Sequence, residues 1–501
     1  NKKEKAPTGA LRKLPLCEGM RRKLSADAEN HLLFQGGRRL RLPGSVGGLR
    51  RASGASGVRT KTAAWPELKE RLVRLVMKEL RKDMTLQECL NQTFSCSCGR
   101  EHTAALKAAF VKKDALEELP RWLKENGYGR AYLICDSITR GIAGDRTKEL
   151  LEQSGIDVSM HVLSHTQYDE ATLGELLIHE DESRDVVIGV GTGSINDMCR
   201  YFSFKTQLPY CIVATAAPMD GFASSISALT VNNLKTTFEV RTPQLIIGDT
   251  EILKGAPYSM ISAGLGDLIG KYTCLCDWKL SRLINQEYYC ENIVDMVSGC
   301  VKRVLEQSGN IKERDPKVLG DIMEGLVFTG VAMSMVGNSR PASGCEHHIS
   351  HYWETVFEQQ GRRPAPHGHQ VGIGTILILR LTEELRRKKP DFDRARKQAK
   401  SYNFESWCEE IRKAYGPAAD SVIEMEQKAK KNDTEGRLKR LQVMEAHWDE
   451  IIALLNELPV SETVSGLLKE LGAPGTPSEI GVDKEILRNT LLYCKEIRAR
   501  Y

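Results

Sequence analysis

Five of the 11 histidines fall between Ser339 and Gly374, where Arg340, Glu346, His347, His348, His351, His367 and His369 stand among glycines and prolines. Neutral imidazole is the commonest protein ligand for a transition metal, and His347 and His351, four apart, share one face of any helix. The segment therefore reads as part of a metal centre, and a metal centre suggests an enzyme. A metallopeptidase is excluded, because the HExxH pattern needs glutamate as general base where this chain has His348.

A second chemical signal is a turn for phosphate. The run DVVIGV, Asp185 to Val190, leads into GVGTGS, and Ile195, Met198, Cys199 and Phe202 then form a helical stripe. Strand, glycine turn and helix let backbone N–H groups approach a pyrophosphate while the helix presents its positive end. The spacing is GxGxGS and not GxGxxG, so a turn serving packing alone stays open. Asp136, closing an earlier strand, is where an acid could take the hydroxyls of an adenine ribose. The polar connection from Ala216 to Ser225 falls where a doubly wound sheet holds its ligand. Asp267 follows in SAGLGDLIGKY, with Lys271 one turn on and on the same face.

The elements that must carry these residues come in two blocks. A charged helical pattern runs through Leu72, Leu75, Val76 and Leu80. Strands are expected at Arg130 to Asp136, Val158 to Leu163, Asp185 to Val190, Tyr210 to Thr215 and Gln244 to Asp249, with a helix at Thr147 to Ser154. This is the rhythm of a parallel sheet with crossover helices. From Ile252 the pattern turns helical, including Ile293 to Leu305, Leu319 to Met335, Ile376 to Arg386 and Val443 to Leu455. The expected fold is an α/β Rossmann-like dinucleotide-binding domain over residues 65–250, then an all-α metal and substrate domain over 251–501. Cys96, Cys98 and His102, in FSCSCGREH, could be half of a zinc knuckle, but no second cysteine pair lies near in sequence to complete four ligands.

Composition narrows the class. With 501 residues, 41% hydrophobic and 27% charged, the chain can bury a large core and divide into more than one domain. No apolar run in the sequence approaches the roughly 18 to 20 residues needed to span a bilayer, and no hydrophobic signal core is expected at the N-terminus. Fourteen scattered cysteines suit reduced thiols in a cytoplasm. Residues 1–64 carry fifteen Lys or Arg against four Asp or Glu, so a net charge of +5 for the whole leaves the rest near −6. The basic segment is expected to be a disordered extension, with Met77 or Met84 as a natural start. An acidic body speaks against nucleic acid as the main ligand. The sequon Asn91-Gln92-Thr93 is too short a pattern to carry weight.

GVGTGSINDM, TAAPMDGFASS, GLGDLIGKY, GNSRPASGCEHHISH and HGHQVGIGT occur in this order over about 190 residues. Together they resemble the glycerol-1-phosphate dehydrogenase family, its bacterial branch above all, within the iron-containing alcohol dehydrogenase and dehydroquinate synthase superfamily. The resemblance runs from about Thr85 to the C-terminus. It implies reduction of dihydroxyacetone phosphate to sn-glycerol 1-phosphate with NAD(H) or NADP(H) and one divalent ion, zinc, nickel or iron, in a cytoplasmic homodimer or higher homo-oligomer. By position it implies Asp267, His347 and His367 as metal ligands, and His351 and Asp267 as catalytic. Asp220, Asp267 and His351 are implied as substrate contacts. Gly191, Thr192, Gly193, Ser194, Ile195, Thr215, Ala216, Ala217, Pro218 and Ser224 are implied as the dinucleotide surface, joined by Asp136. His348 and His369 do not match ligand positions and are expected to face solvent or to support the ligands. Arg340 and Lys271 are our candidates for the substrate phosphate. The alternative within the superfamily is an NAD-dependent glycerol or other polyol dehydrogenase, and outside enzymes a binding protein with a retired site.

Overall fold

The computed structural model describes residues 85–164, 168–231 and 234–498. The basic segment 1–64, Met77, Met84 and the helix expected through Leu72 and Leu80 lie outside the described residues.

Six parallel strands form the main sheet: β3 (Ala108–Lys112), β4 (Arg130–Asp136), β5 (Asp157–Leu163), β6 (Val186–Gly191), β7 (Tyr210–Ala214) and β10 (Leu245–Asp249), in spatial order β3-β10-β7-β6-β4-β5. Two antiparallel hairpins stand apart from it, β1 (Thr93–Ser95) with β2 (Glu101–Thr103) and β8 (Ile226–Val231) with β9 (Leu234–Glu239). Every residue of β6, VVIGVG, is buried, as a strand covered on both faces requires. Helices α1 (Glu118–Glu125), α2 (Asp145–Gln153), α3 (Glu170–Ile178) and α4 (Gly193–Thr206) make the crossovers. The chain passes outward from β4 to the edge strand β5, then returns to the other side of β4 as β6. That reversal is the topological switch point where a doubly wound sheet binds ligands, and the ends of β4 and β6 flank it.

Helices follow: α5 (Tyr258–Ile269), α6 (Lys271–Asn285), α7 (Glu291–Glu306), α8 (Pro316–Val336), α9 (Cys345–Gln359) and α10 (His367–Arg387), with more through Tyr493. The helix expected at Val443 to Leu455 breaks at His447, which caps both Thr434–Ala446 and Trp448–Asn456. Pro316–Val336 is long and apolar enough to cross a membrane, but most of it is buried inside the protein as its core helix; the apolar stretch Trp448–Glu470 is two helices, broken between Asn456 and Ser461.

Glycines bring α5 against α10. A β-carbon on Gly264 would stand 2.0 Å from the Ala217 carbonyl oxygen, on Gly266 2.3 Å from that of Gly368, and on Gly368 1.9 Å from that of Ala263. All three obstacles are backbone, which cannot swing aside: Gly264 lets α5 approach the connection at Ala217, and Gly266 and Gly368 let the two helices touch. This contact sets Asp267, at the end of α5, beside His367, at the start of α10. Gly368→Ala should therefore cost at least about 1–3 kcal/mol through overpacking and lower the urea midpoint. Gly174→Ala, with nothing within 4 Å of its added carbon, should leave the midpoint unchanged or raise it. Equal midpoints for the two variants would refute the close contact.

Candidate metal and dinucleotide site

Asp267 is fully buried in the last turn of α5. Its Oδ2 accepts from the Asp220 backbone N–H at 2.9 Å, and its Oδ1 lies 3.6 Å from His347 Nε2. The ligand atoms of Asp220, Asp267 and His347 all lie within 4.8 Å of one another, as do those of His351, Glu354 and His367. The imidazole rings join the two groups: His347 and His367 have centroids 5.3 Å apart, and His351 and His367 5.5 Å. Two imidazoles sharing one tetrahedral ion at a metal–nitrogen distance of about 2.0–2.1 Å have centroids about 5 Å apart. The spacing of His347 and His367 fits that arrangement.

Carboxylates aim the rings. Glu346 Oε1 lies 2.7 Å from His347 Nδ1, Glu354 Oε1 2.8 Å from His367 Nδ1, and Glu354 Oε2 3.2 Å from His351 Nδ1. A proton assigned to each Nδ1 donates to its carboxylate and leaves each Nε2 lone pair for a metal or substrate. Glu346 is held in turn by Thr273 Oγ1 and the Gly344 N–H, both at 2.7 Å. Burial, with the Lys271 charge, pushes His347 well below the ordinary histidine value, and burial holds His351 down to about 4. Both are neutral at pH 7, the form that ligates. The sequence places Glu346 in the cluster without a role and gives no sign of Glu354, although Glu346 adjoins His347 and Glu354 follows His351 by three on α9.

Lys271 corrects an expectation. Its ammonium is buried and bonded to Asp220 Oδ2 at 2.6 Å, Asp267 Oδ1 at 2.8 Å and the Ala342 carbonyl at 2.9 Å, so it has no reach left for a substrate phosphate. Burial opposes its charge, but Asp220 and Asp267 outweigh burial and hold its pKa above the ordinary lysine range. Two adjacent buried carboxylates repel, and the cation between them offsets that repulsion. Arg340 is a second correction. Its guanidinium is 1% exposed and donates to Glu287 Oε1 at 2.8 Å, Asp277 Oδ2 at 2.8 Å, Ser281 Oγ at 3.1 Å and Glu287 Oε2. It braces the loop before α9 and is turned away from any phosphate.

The glycine turn closes β6 and opens α4, at the switch point. Thr192 is the N-cap residue of α4 but makes no side-chain cap, and its buried hydroxyl has no partner. An orphan hydroxyl at a helix N-terminus suits an anion's oxygen. The other dinucleotide candidates gather there: Gly191 and Thr215 are tied by a 3.0 Å backbone bond, and Ala216, Ala217, Pro218 and Ser224 continue from the neighbouring strand. Ser224 Oγ accepts from the Ile226 N–H at 3.0 Å. Arg200, buried on α4 and unremarked in the sequence, holds this connection down through the carbonyls of Gly221 and Ser224 and through Ser227 Oγ at 3.3 Å. Asp136 departs from expectation. One oxygen caps Ile138 and Thr139, and the other accepts from Tyr168 OH at 3.0 Å, so its bonds serve the local turn first.

His348 and His369 are buried, which corrects the solvent-facing option. His369 Nε2 meets Ser262 Oγ at 2.8 Å and pins α10 to α5, and burial holds its pKa down to about 4. The unfolded value is about 6.5, so between these values the unfolded chain binds a proton that the folded chain refuses. This residue's contribution is complete above about pH 6.5 and falls by up to about 3 kcal/mol as the pH drops towards 4. His369→Gln should flatten unfolding free energy against pH across that window by urea titration. A variant slope as steep as the parent's would exclude His369 as the cause.

The iron-containing alcohol dehydrogenase family model matches residues 110–257. Among solved structures, an alcohol dehydrogenase from Oenococcus oeni has a TM-score of 0.52 at 15% identity, covering 79% of this chain and 95% of that one. A maleylacetate reductase from Agrobacterium tumefaciens has a TM-score of 0.51 at 13% identity, covering 79% and 91%. A parallel sheet with its glycine turn at the switch point, followed by helices carrying aspartate and histidines, is thus the fold of the iron-containing alcohol dehydrogenase class. Within it, the glycerol-1-phosphate dehydrogenase (NAD(P)+) of Halalkalibacterium halodurans is 34% identical over 310 residues, covering 61% of this chain and 78% of that protein. The enzyme of the same name from Bacillus subtilis is 32% identical over 336 residues, covering 64% and 84%. The chain belongs to the glycerol-1-phosphate dehydrogenase family.

Proposed function

We propose that this chain reduces dihydroxyacetone phosphate to sn-glycerol 1-phosphate with NADH or NADPH, using a divalent ion held by Asp267, His347 and His367. The observation that carries the reading is the pairing of Asp267 with the neutral, carboxylate-backed imidazole of His347, and the 5.3 Å spacing of His347 from the carboxylate-backed His367, in a chain of this family. When bound, the ion supplies a Lewis acid that stabilises negative charge growing on the ketone oxygen as hydride arrives. The protein's own residues do the rest. Thr192, Gly193 and the start of α4 would receive the dinucleotide phosphates and hold the nicotinamide against the ketone. Asp220 and Lys271 fix the Asp267 carboxylate, and because their charges cancel, the negative charge of Asp267 is left to face a buried cation. His351 is neutral at pH 7 and offers its lone pair to a substrate hydroxyl. Burial makes it a poor store for a proton, so the product oxygen takes its proton more readily from water.

With Arg340 and Lys271 engaged elsewhere, Arg498 is the cation we assign to the substrate phosphate. Burial lowers its pKa while Glu354 opposes the shift, and its charge in turn acts on His351, which puts it within electrostatic range of both. Arg498→Ala should raise KM for the phosphorylated ketone at least tenfold more than for unphosphorylated dihydroxyacetone, about 1.4 kcal/mol of selective binding. An equal effect on both ketones would reject the assignment. A cytoplasmic location and a homo-oligomer of two or more chains are proposed with the activity and rest on the family alone.

The deciding experiment strips the protein of metal and restores zinc, nickel or iron singly. NADH oxidation with dihydroxyacetone phosphate should return with at least one ion, and the product should be the sn-1 phosphate. Turnover with glycerol or other polyols but none with the phosphorylated ketone would favour the polyol dehydrogenase reading instead.

A further inference from the structure

We propose a second metal site, closed and structural, that holds zinc between Cys96, Cys98, His102 and Cys290 and shares no residue with the site above. The four ligand atoms lie within 4.8 Å of one another. Cys96 Sγ is 3.5 Å from Cys290 Sγ, and His102 Nε2 is 3.3 Å from Cys98 Sγ and 3.4 Å from Cys290 Sγ. With Zn–S of about 2.3 Å and Zn–N of about 2.0–2.1 Å, a tetrahedral site has S···S edges of about 3.8 Å and S···N edges of about 3.6 Å. These three edges already stand within a few tenths of an ångström of those figures, and the remaining edges are no longer than 4.8 Å.

The local chain explains how they meet. Cys96 and Cys98 lie in the turn of the β1-β2 hairpin, where the Cys96 N–H donates to the Arg100 carbonyl and the Gly99 N–H to that of Cys96, with Gly99 at φ +86°. The left-handed glycine lets the turn fold both sulfurs to one side. His102, on β2, is fully buried, and its Nδ1 lies 3.0 Å from the Met335 carbonyl at the end of α8. A proton on Nδ1 donates there, so Nε2 turns its lone pair to the sulfurs, the arrangement in which a backbone carbonyl fixes a ligating histidine. Cys290, also fully buried, is the N-cap residue of α7. Asn292 Nδ2 donates to Cys96 Sγ at 2.9 Å, and Tyr288 OH lies 3.1 Å from Cys98 Sγ.

Three thiolates and one imidazole fill a tetrahedron and leave no open position, so the ion would support structure and not catalysis. It would tie the hairpin ahead of β3 to α7 and α8, across a span in sequence of about 190 residues, and its binding energy would enter folding directly. A disulfide between Cys96 and Cys290 would need a two-electron oxidant and would leave Cys98 and His102 without a function. It is a distinct outcome of the test.

Zinc per chain is measured by mass spectrometry on the full-length Asp267→Asn protein, where the first site is disabled, and on that protein with Cys98→Ser or Cys290→Ser added. One zinc per chain is expected in the first and none in the others. Should the cysteine variants fail to fold, X-ray absorption at the zinc edge of Asp267→Asn alone decides, with three sulfurs at about 2.3 Å expected. A zinc-free Asp267→Asn protein, zinc ligated only by nitrogen and oxygen, or a Cys96–Cys290 disulfide found by peptide mapping would overturn the proposal. These readouts need no turnover, so they are independent of the proposed dehydrogenase activity.

Discussion

Asp267→Asn is expected to lower kcat about 10³-fold or more and to abolish metal retention at the first site. The side chain keeps its shape but loses the negative charge that, in the proposed site, holds a divalent ion beside His347 and His367. A Lewis acid contributes several kcal/mol of transition-state stabilisation, and about 4 kcal/mol corresponds to that factor in rate. The fold should persist, because the Asn carbonyl can still accept from the Asp220 N–H or from Lys271, which in the parent bond different oxygens of Asp267, and because Lys271 keeps its 2.6 Å bond to Asp220. Circular dichroism and the urea midpoint check the fold, metal analysis checks loading, and steady-state kinetics check turnover. Full loading at the first site with kcat within tenfold of the parent would show that Asp267 holds no essential ion.

The parts of this centre differ in how plainly the chain announces them. Strand β4 matches Arg130 to Asp136 at both ends, because a run of buried apolar residues bounded by polar ones can be little else in a parallel sheet. The hairpin β8-β9 escapes notice because its strands mix Ser, Thr and Lys with apolar residues and one face stays open, so no clean alternation marks them. Strand β3, AAFVK, offers only Phe110 and Val111 as large apolar residues beside two alanines and a lysine, so it does not declare itself. The i, i+4 spacing of Asp267 and Lys271 is legible, but its meaning is not: a lysine one turn from a buried aspartate reads as a free cation until Asp220 arrives from a distant loop to hold it. The same limit hid Cys290, which lies 188 residues from His102 along the chain and 3.4 Å from it in space. Short-range pattern shows which residues share a face, whereas only the fold shows which charges already have partners.

Arg340 shows the consequence most sharply, and its replacement should act on stability where the sequence pointed to substrate. Arg340→Ala removes four hydrogen bonds and leaves Asp277 and Glu287 facing a cavity without their cation. Removing one partner of a buried ion pair typically costs about 3–5 kcal/mol, and the partial exposure of the two acids, 14% and 29%, reduces that to about 3 kcal/mol. The loop held by Arg340 leads into α9, so the loss should also loosen Glu346 and His347 and lower kcat for phosphorylated and unphosphorylated ketones alike. Lysine cannot restore the network, because a single ammonium lacks the planar fork that reaches Asp277, Ser281 and Glu287 together. Urea unfolding of the Ala and Lys variants, with KM for both ketones, checks the account. An unchanged midpoint with KM raised only for the phosphorylated ketone would return Arg340 to the substrate.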